Sequence, residues 1–168
     1  MQFEVVHEFD IPLDALELAV ISPNLFHELS KRLHSIESVS QKEHVLTDSR
    51  LDRLWSYRAN VKLPAFATRY VTPEMCAWDE KSTYDIKRHF SEWTILPHVK
   101  PEWAKLFSAK GTYTLSELES GRTRRTIAGI LELRVPLLRP VAEKLIMGEV
   151  RKTFDAEAET LRELATLV

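Results

Sequence analysis

Sulfur and glycine are both scarce in this chain. Of 168 residues, only Cys76 is a cysteine and only Gly111, Gly121, Gly129 and Gly148 are glycines. A single thiol closes no internal disulfide and builds no zinc framework, which suits a reducing compartment, so a cytoplasmic location is expected. Met75, Ala77 and Trp78 around Cys76 offer the thiol no activation, and there is no G-x-S-x-G elbow, so a nucleophilic hydrolase is disfavoured. The four glycines form no phosphate-cradling loop, which argues against nucleotide binding.

Charge of one sign is also missing. With 23 Lys and Arg against 25 Asp and Glu, the net charge is −2 and the pI about 6.3. No global field would hold such a chain on nucleic acid, and membrane contact is expected to be transient at most. No stretch approaches the roughly eighteen apolar residues of a membrane span, and MQFEVVHEFD lacks the basic start and apolar run of a signal peptide. The reading is a soluble, unprocessed protein. His7, His27, His34, His44, His89 and His98 include no recognised metal-ligand pair, so neither a metal nor any other cofactor is expected.

The residues that are present suit an ordinary globular protein, 44% apolar and 29% charged. A chain of this length buries roughly two-thirds of its unfolded surface, and a single domain over 1–168 is expected. Residues 2–9 alternate, with Phe3, Val5, His7 and Phe9 on one side of a half-buried strand. Leu13, Leu16, Leu18, Ala19 and Val20 then fall at helical spacing after Asp10 or Pro12, and Ser22-Pro23 opens a second short helix carrying Leu25, Phe26 and Leu29.

From Ser35 to about Pro136 the pattern has period two, predicting a meander of six or seven antiparallel strands. Leu51, Arg53, Trp55, Tyr57 and Ala59 share one face; Trp78, Ser82, Tyr84, Ile86 and Arg88 line up in the next run, then Trp93, Ile95 and Pro97. Phe107, Tyr113 and Leu115 follow, and Ser120-Gly121 turns the chain into Ile127, Leu131, Leu133 and Val135. Residues 63–76, with Pro64 and Pro73, do not alternate cleanly and read as a loop or short distorted strand. After Pro136 the period changes. Val141, Leu145, Val150, Phe154, Ala158, Leu161 and Leu164 recur at helical spacing, giving an amphipathic helix from about Pro140 to Leu167.

That order of elements, together with EVVHEFDIPLDAL, GTYTL and the strand ending LRVP that leads to PVAEKLI, resembles the START-like (SRPBCC, helix-grip) superfamily, in an uncharacterised bacterial branch. The fold class implied is α+β, a curved antiparallel sheet with two short N-terminal helices and a long C-terminal helix across it. The resemblance implies a cavity between the concave sheet face and that helix, used in the superfamily for lipids and other apolar molecules. The expected partner is therefore an apolar small-molecule ligand, the protein being a monomer or dimer.

The residues expected to line such a cavity are His7, Trp55, Tyr57, Trp78, Tyr84, Trp93, Tyr113, Met147, Val150 and Phe154, each of which could equally be core packing. No catalytic residue is assigned. Two other readings remain open. One is a polyketide cyclase or dehydratase in which His7 with Tyr57 or Tyr84 moves a proton; the other is a protein-interaction module of the chaperone-activator kind. The run Arg122, Thr123, Arg124, Arg125 reads as a solvated strand edge, neutralised by Glu117 and Glu119, rather than a lipid-docking patch.

Overall fold

The period-two stretches pair into one antiparallel sheet of seven strands in the order β1-β7-β6-β5-β4-β3-β2. The computed structural model describes residues 1–60, 76–134 and 139–167. The strands are β1 (Gln2–Phe9), β2 (Ile36–Leu46), β3 (Arg50–Ala59), β4 (Ala77–Asp85), β5 (Phe90–Pro97), β6 (Phe107–Leu118) and β7 (Arg122–Leu133). The helices are α1 (Leu13–Ile21), α2 (Asn24–Ser30), the single turn α3 (Pro101–Ala104) and α4 (Arg139–Ala165). Most of the stretch expected to be a loop, 63–76, lies outside the described residues, as does Val135.

Each helix starts where proline presets φ. Pro12 and Pro23 occupy the N-caps of α1 and α2, and neither helix start has a side-chain cap, so Asp10 does not serve as one. The run expected to continue through Ile86 to Arg88 ends at Asp85. Residues 86–89 turn instead, and His89 takes φ 50° to bring the chain back as β5. Ser120 and Gly121, at φ 69° and 71°, make the anticipated turn between β6 and β7.

Register fixes which side chains face the helices. His7 stands opposite Arg125 and Phe3 opposite Gly129; Gly129 stands opposite Gly111, Gly111 opposite Trp93, and Trp93 opposite Ser82. On β3 and β4, Arg53 faces Ser82, Trp55 faces Glu80, and Tyr57 faces Trp78. These residues therefore share one inner face. Gly111 is obligatory in this arrangement, because a Cβ there would stand 2.0 Å from the Ala128 carbonyl oxygen and 2.5 Å from the Trp93 ring.

The core lies at one end of this face. Leu16, Ala19 and Val20 of α1 and Leu25 and Leu29 of α2 pack with Phe9, Leu51, Tyr84, Leu115 and Ile127 of the sheet and with Ala158, Leu161, Leu164 and Ala165 of α4. Truncating a side chain as enclosed as Leu161 to alanine costs about 2–5 kcal/mol in comparable cores. Further bonds tie the helices to the sheet. The Tyr84 hydroxyl donates to Glu17 of α1 at 2.7 Å, His89 Nδ1 lies 2.8 Å from the same carboxylate, and Thr123 donates to the Ile11 carbonyl at 2.7 Å.

Candidate functional site

The 27 residues of α4 make a rod about 40 Å long whose apolar stripe is buried unevenly. Ala158, Leu161, Leu164 and Ala165 are enclosed between α1, α2 and the sheet. Ile146, Met147, Val150 and Phe154, one to three turns earlier, are only half-buried, and Leu145 is exposed. Among the described residues, nothing beyond the helix backbone lies within 4 Å of where a Gly148 side chain would begin. The C-terminal half of α4 is thus enclosed and the apolar stripe of its N-terminal half is half-buried.

A polar cluster marks where the packed half ends. Arg125 of β7 is fully buried; its Nη1 donates to Glu157 at 2.8 Å and its Nη2 to the Phe154 carbonyl at 2.7 Å. Nη2 also lies 3.1 Å from His7 Nδ1, and His7 Nε2 lies 2.9 Å from Asp155. Burial holds His7 below the ordinary histidine range, as does the Arg125 charge, while the bond to Asp155 pulls the other way. A buried guanidinium needs such partners, and here groups on β1 and α4 supply them.

Beyond the cluster, Tyr57, Glu80 and Tyr113 lie between two opposed charges, each acted on by both Glu157 of α4 and Arg53 of β3. Burial raises both tyrosine hydroxyls. The Tyr113 hydroxyl lies near Arg125 but outside hydrogen-bond geometry, and among the described residues it, Arg125 Nε and Trp55 Nε1 have no partner. Glu80 is the unusual member. Loss of water, reinforced by the Glu157 charge, pushes its carboxyl up to about 7, yet the residue keeps an intermediate share of its surface accessible.

The anticipated lining residues fall into separate groups. Tyr57 and Trp78 stack at 5.4 Å on the inner face next to Glu80, while Met147, Val150 and Phe154 lie half-buried on α4. Trp55 is buried against Phe26, with centroids 5.3 Å apart. Tyr84 and Tyr113 meet edge-on at 6.2 Å, the Tyr84 hydroxyl being engaged by Glu17. Trp93 packs with Phe3 over Gly111 and Gly129 and donates to the Thr112 carbonyl at 3.3 Å. His7 belongs to the Arg125 cluster, apart from Tyr57 and Tyr84.

Glu80, Arg125 and Glu157 are the functional candidates absent from the sequence-based set. Arg125 also corrects the reading of its basic run as a solvated edge. Strand alternation sends Thr123 and Arg125 inward, while Arg122 and Arg124 face out onto Glu8 of β1 rather than Glu117 or Glu119. An open hollow of about 800 Å³ over β1, β7, β6 and β5 is bordered by Gln2, Glu4, Glu92, Thr94 and Lys110 together with Phe3, Trp93, Ala128 and Ile130. Charged and apolar groups share its open rim. Among the described residues no cluster of His, Cys, Asp or Glu could hold a metal ion, and no helix is long and apolar enough to cross a membrane.

The chain belongs to the family described as Protein of unknown function (DUF2505), whose model matches residues 4–164. No match was found among curated proteins. Similar solved structures include TTHA0849 from Thermus thermophilus, at 15% identity over 99% of this chain and 98% of that one, with a TM-score of 0.63. An aromatase/cyclase from Streptomyces sp. R1128 is 11% identical over 99% and 93% of the two chains, TM-score 0.63. Norcoclaurine synthase from Thalictrum flavum is 10% identical over 95% and 84%, TM-score 0.64. At such identities the likeness is one of fold, and the fold is the helix-grip arrangement.

Proposed function

We infer that this family member, acting as a single domain, binds a lipid or other apolar small molecule between the inner sheet face and the N-terminal half of α4, as a carrier or sensor. The observation that carries this reading is the apolar stripe of α4, left half-buried at Met147, Val150 and Phe154 while Ala158 and Leu161 of the same helix are enclosed. That stripe and the stacked Tyr57 and Trp78 give the site apolar walls. Native mass spectrometry of protein purified from its own host, followed by organic extraction, tests it. A stoichiometric apolar molecule that leaves on denaturation supports the reading; empty protein that also fails to take up apolar probes sinks it.

Glu80 favours a second reading, an enzyme of the cyclase or dehydratase kind. A carboxyl poised near neutrality is suited to moving a proton in either direction. In that case Glu80→Gln abolishes turnover of a polyketide-like substrate without lowering the melting temperature.

A further inference from the structure

Two cross-strand rows line the open hollow over β1, β7, β6 and β5. Register sets Glu4, Ala128, Thr112 and Glu92 side by side in one row, and Gln2, Ile130, Lys110 and Thr94 in the next. In the first row the long side chains stand at the ends and the short ones in the middle. Three spacings between neighbouring strands separate Glu4 from Glu92, roughly 14 Å at the backbone. The hollow is therefore a trough with a small-residue floor and an exposed carboxylate along each wall. An α-helix with its side chains is about 10–12 Å across, a width that such a trough admits.

The exposed side of the N-terminal half of α4 carries the complementary pattern. Lys144, Gly148, Arg151 and Asp155 recur at helical spacing and share one face, with Lys152 on its flank, and the four charged residues and Lys152's neighbour Arg151 all face solvent. Gly148 lies at the centre of the three cations, and a Cβ there would meet no described residue within 4 Å. Glycine is the poorest helix former after proline, and it leaves a notch where another backbone can approach closely. The first turn of α4 holds no acidic residue, so the helix dipole adds to the positive charge of this end.

We propose that the trough receives the exposed N-terminal half of α4 from a second copy of the chain. The helix lies along the strands with Gly148 over Ala128 and Thr112, and the cations on its two flanks reach the carboxylates of the two walls. Lys110, one row further along, then meets Asp155 on the same face of the helix. Trough and ridge are different surfaces, so the contact is head-to-tail and each copy at the end of an assembly keeps one of them free. Exposed charges supply much of the attraction, so the contact is weak and sensitive to salt.

Sedimentation velocity of the full chain from about 1 μM to about 1 mM, at low and at high salt, tests this. The weight-average mass rises with concentration at low salt and falls back when salt is added. Glu4→Lys with Glu92→Lys reverses the trough, and Lys144→Glu with Arg151→Glu reverses the ridge. Each double variant alone stays monomeric, and mixing the two restores association because opposite charges face each other again. Gly148→Leu fills the notch, leaves the melting temperature no lower and abolishes association. A wild-type chain that is monomeric at every concentration overturns the proposal, as does association that survives both reversals or a mixture that fails to associate. None of these outcomes bears on the apolar site beneath the helix, which the co-purification experiment tests separately.

Discussion

Arg125 on β7 donates to Nδ1 of His7 on β1 across 3.1 Å and thereby selects the tautomer of the histidine. A guanidinium cannot accept, so Nδ1 carries the lone pair and Nε2 carries the proton, which it offers to Asp155 2.9 Å away. Protonated His7 would turn a donor toward Arg125 and lose that bond. The environment therefore favours neutral imidazole.

His7 makes stability pH-dependent in a defined direction. Its pKa is lowered in the fold from 6.5, so the unfolded chain binds the extra proton first. Its contribution is complete above that value and is lost as pH falls below it. Thermal melts from about pH 8 to about pH 5 will show this decline, and His7→Asn, which retains an acceptor for Arg125, flattens that part of the profile.

Glu80 contributes with the opposite sign. Its carboxyl is raised from 4.5 to about 7, so the native state holds the proton that the unfolded chain releases, and its stabilising effect is present below 4.5 and lost as pH rises through about 7. Glu80→Gln mimics the protonated form. It should raise stability at alkaline pH by up to about 3 kcal/mol and have little effect near pH 4, as measured by urea unfolding at each pH.

Removing the Arg125 side chain leaves Glu157 buried without a partner. Arg125→Met is expected to cost about 3–5 kcal/mol, much of it recovered when Glu157→Leu is added, because two apolar side chains replace the broken pair. A double-mutant cycle in urea measures the coupling; strictly additive losses would contradict it.

The two glycines with contrasting surroundings should respond in opposite ways. Gly148→Ala, in a helix interior where no described residue would meet the new methyl, should stabilise the chain by about 0.5–1 kcal/mol. Gly111→Ala drives a methyl into the Ala128 carbonyl and should destabilise by about 3 kcal/mol or more. Melting curves of the two variants decide both.

The element order, sheet and closing helix were legible because period two and helical period are one-dimensional signals, and the prolines at 12 and 23 mark the helix starts. The polar interior was harder to read because residue type misleads there. Arg125 has the same strand parity as Ile127 and Leu131, and Glu80 the same parity as Trp78, Ser82 and Tyr84, so alternation alone assigns both to the inner face. A charged side chain is ordinarily read as solvated, and that habit hid them. Glu157 could not be found in this way, because its partner lies 32 positions away and only the packed fold brings the two together. Likewise, no local pattern reports that Glu17 claims Tyr84 and Asp155 claims His7.

The uneven seating of α4 has a mechanical consequence. A helix gripped along Ala158–Ala165 and braced at Glu157 behaves as a beam clamped at one end, its bending moment concentrated near Phe154, where the Arg125 bond to the backbone carbonyl stiffens the root. Movement of the Met147–Val150 part of the helix, on the proposed binding reading, would leave the core around Ala158–Ala165 in place.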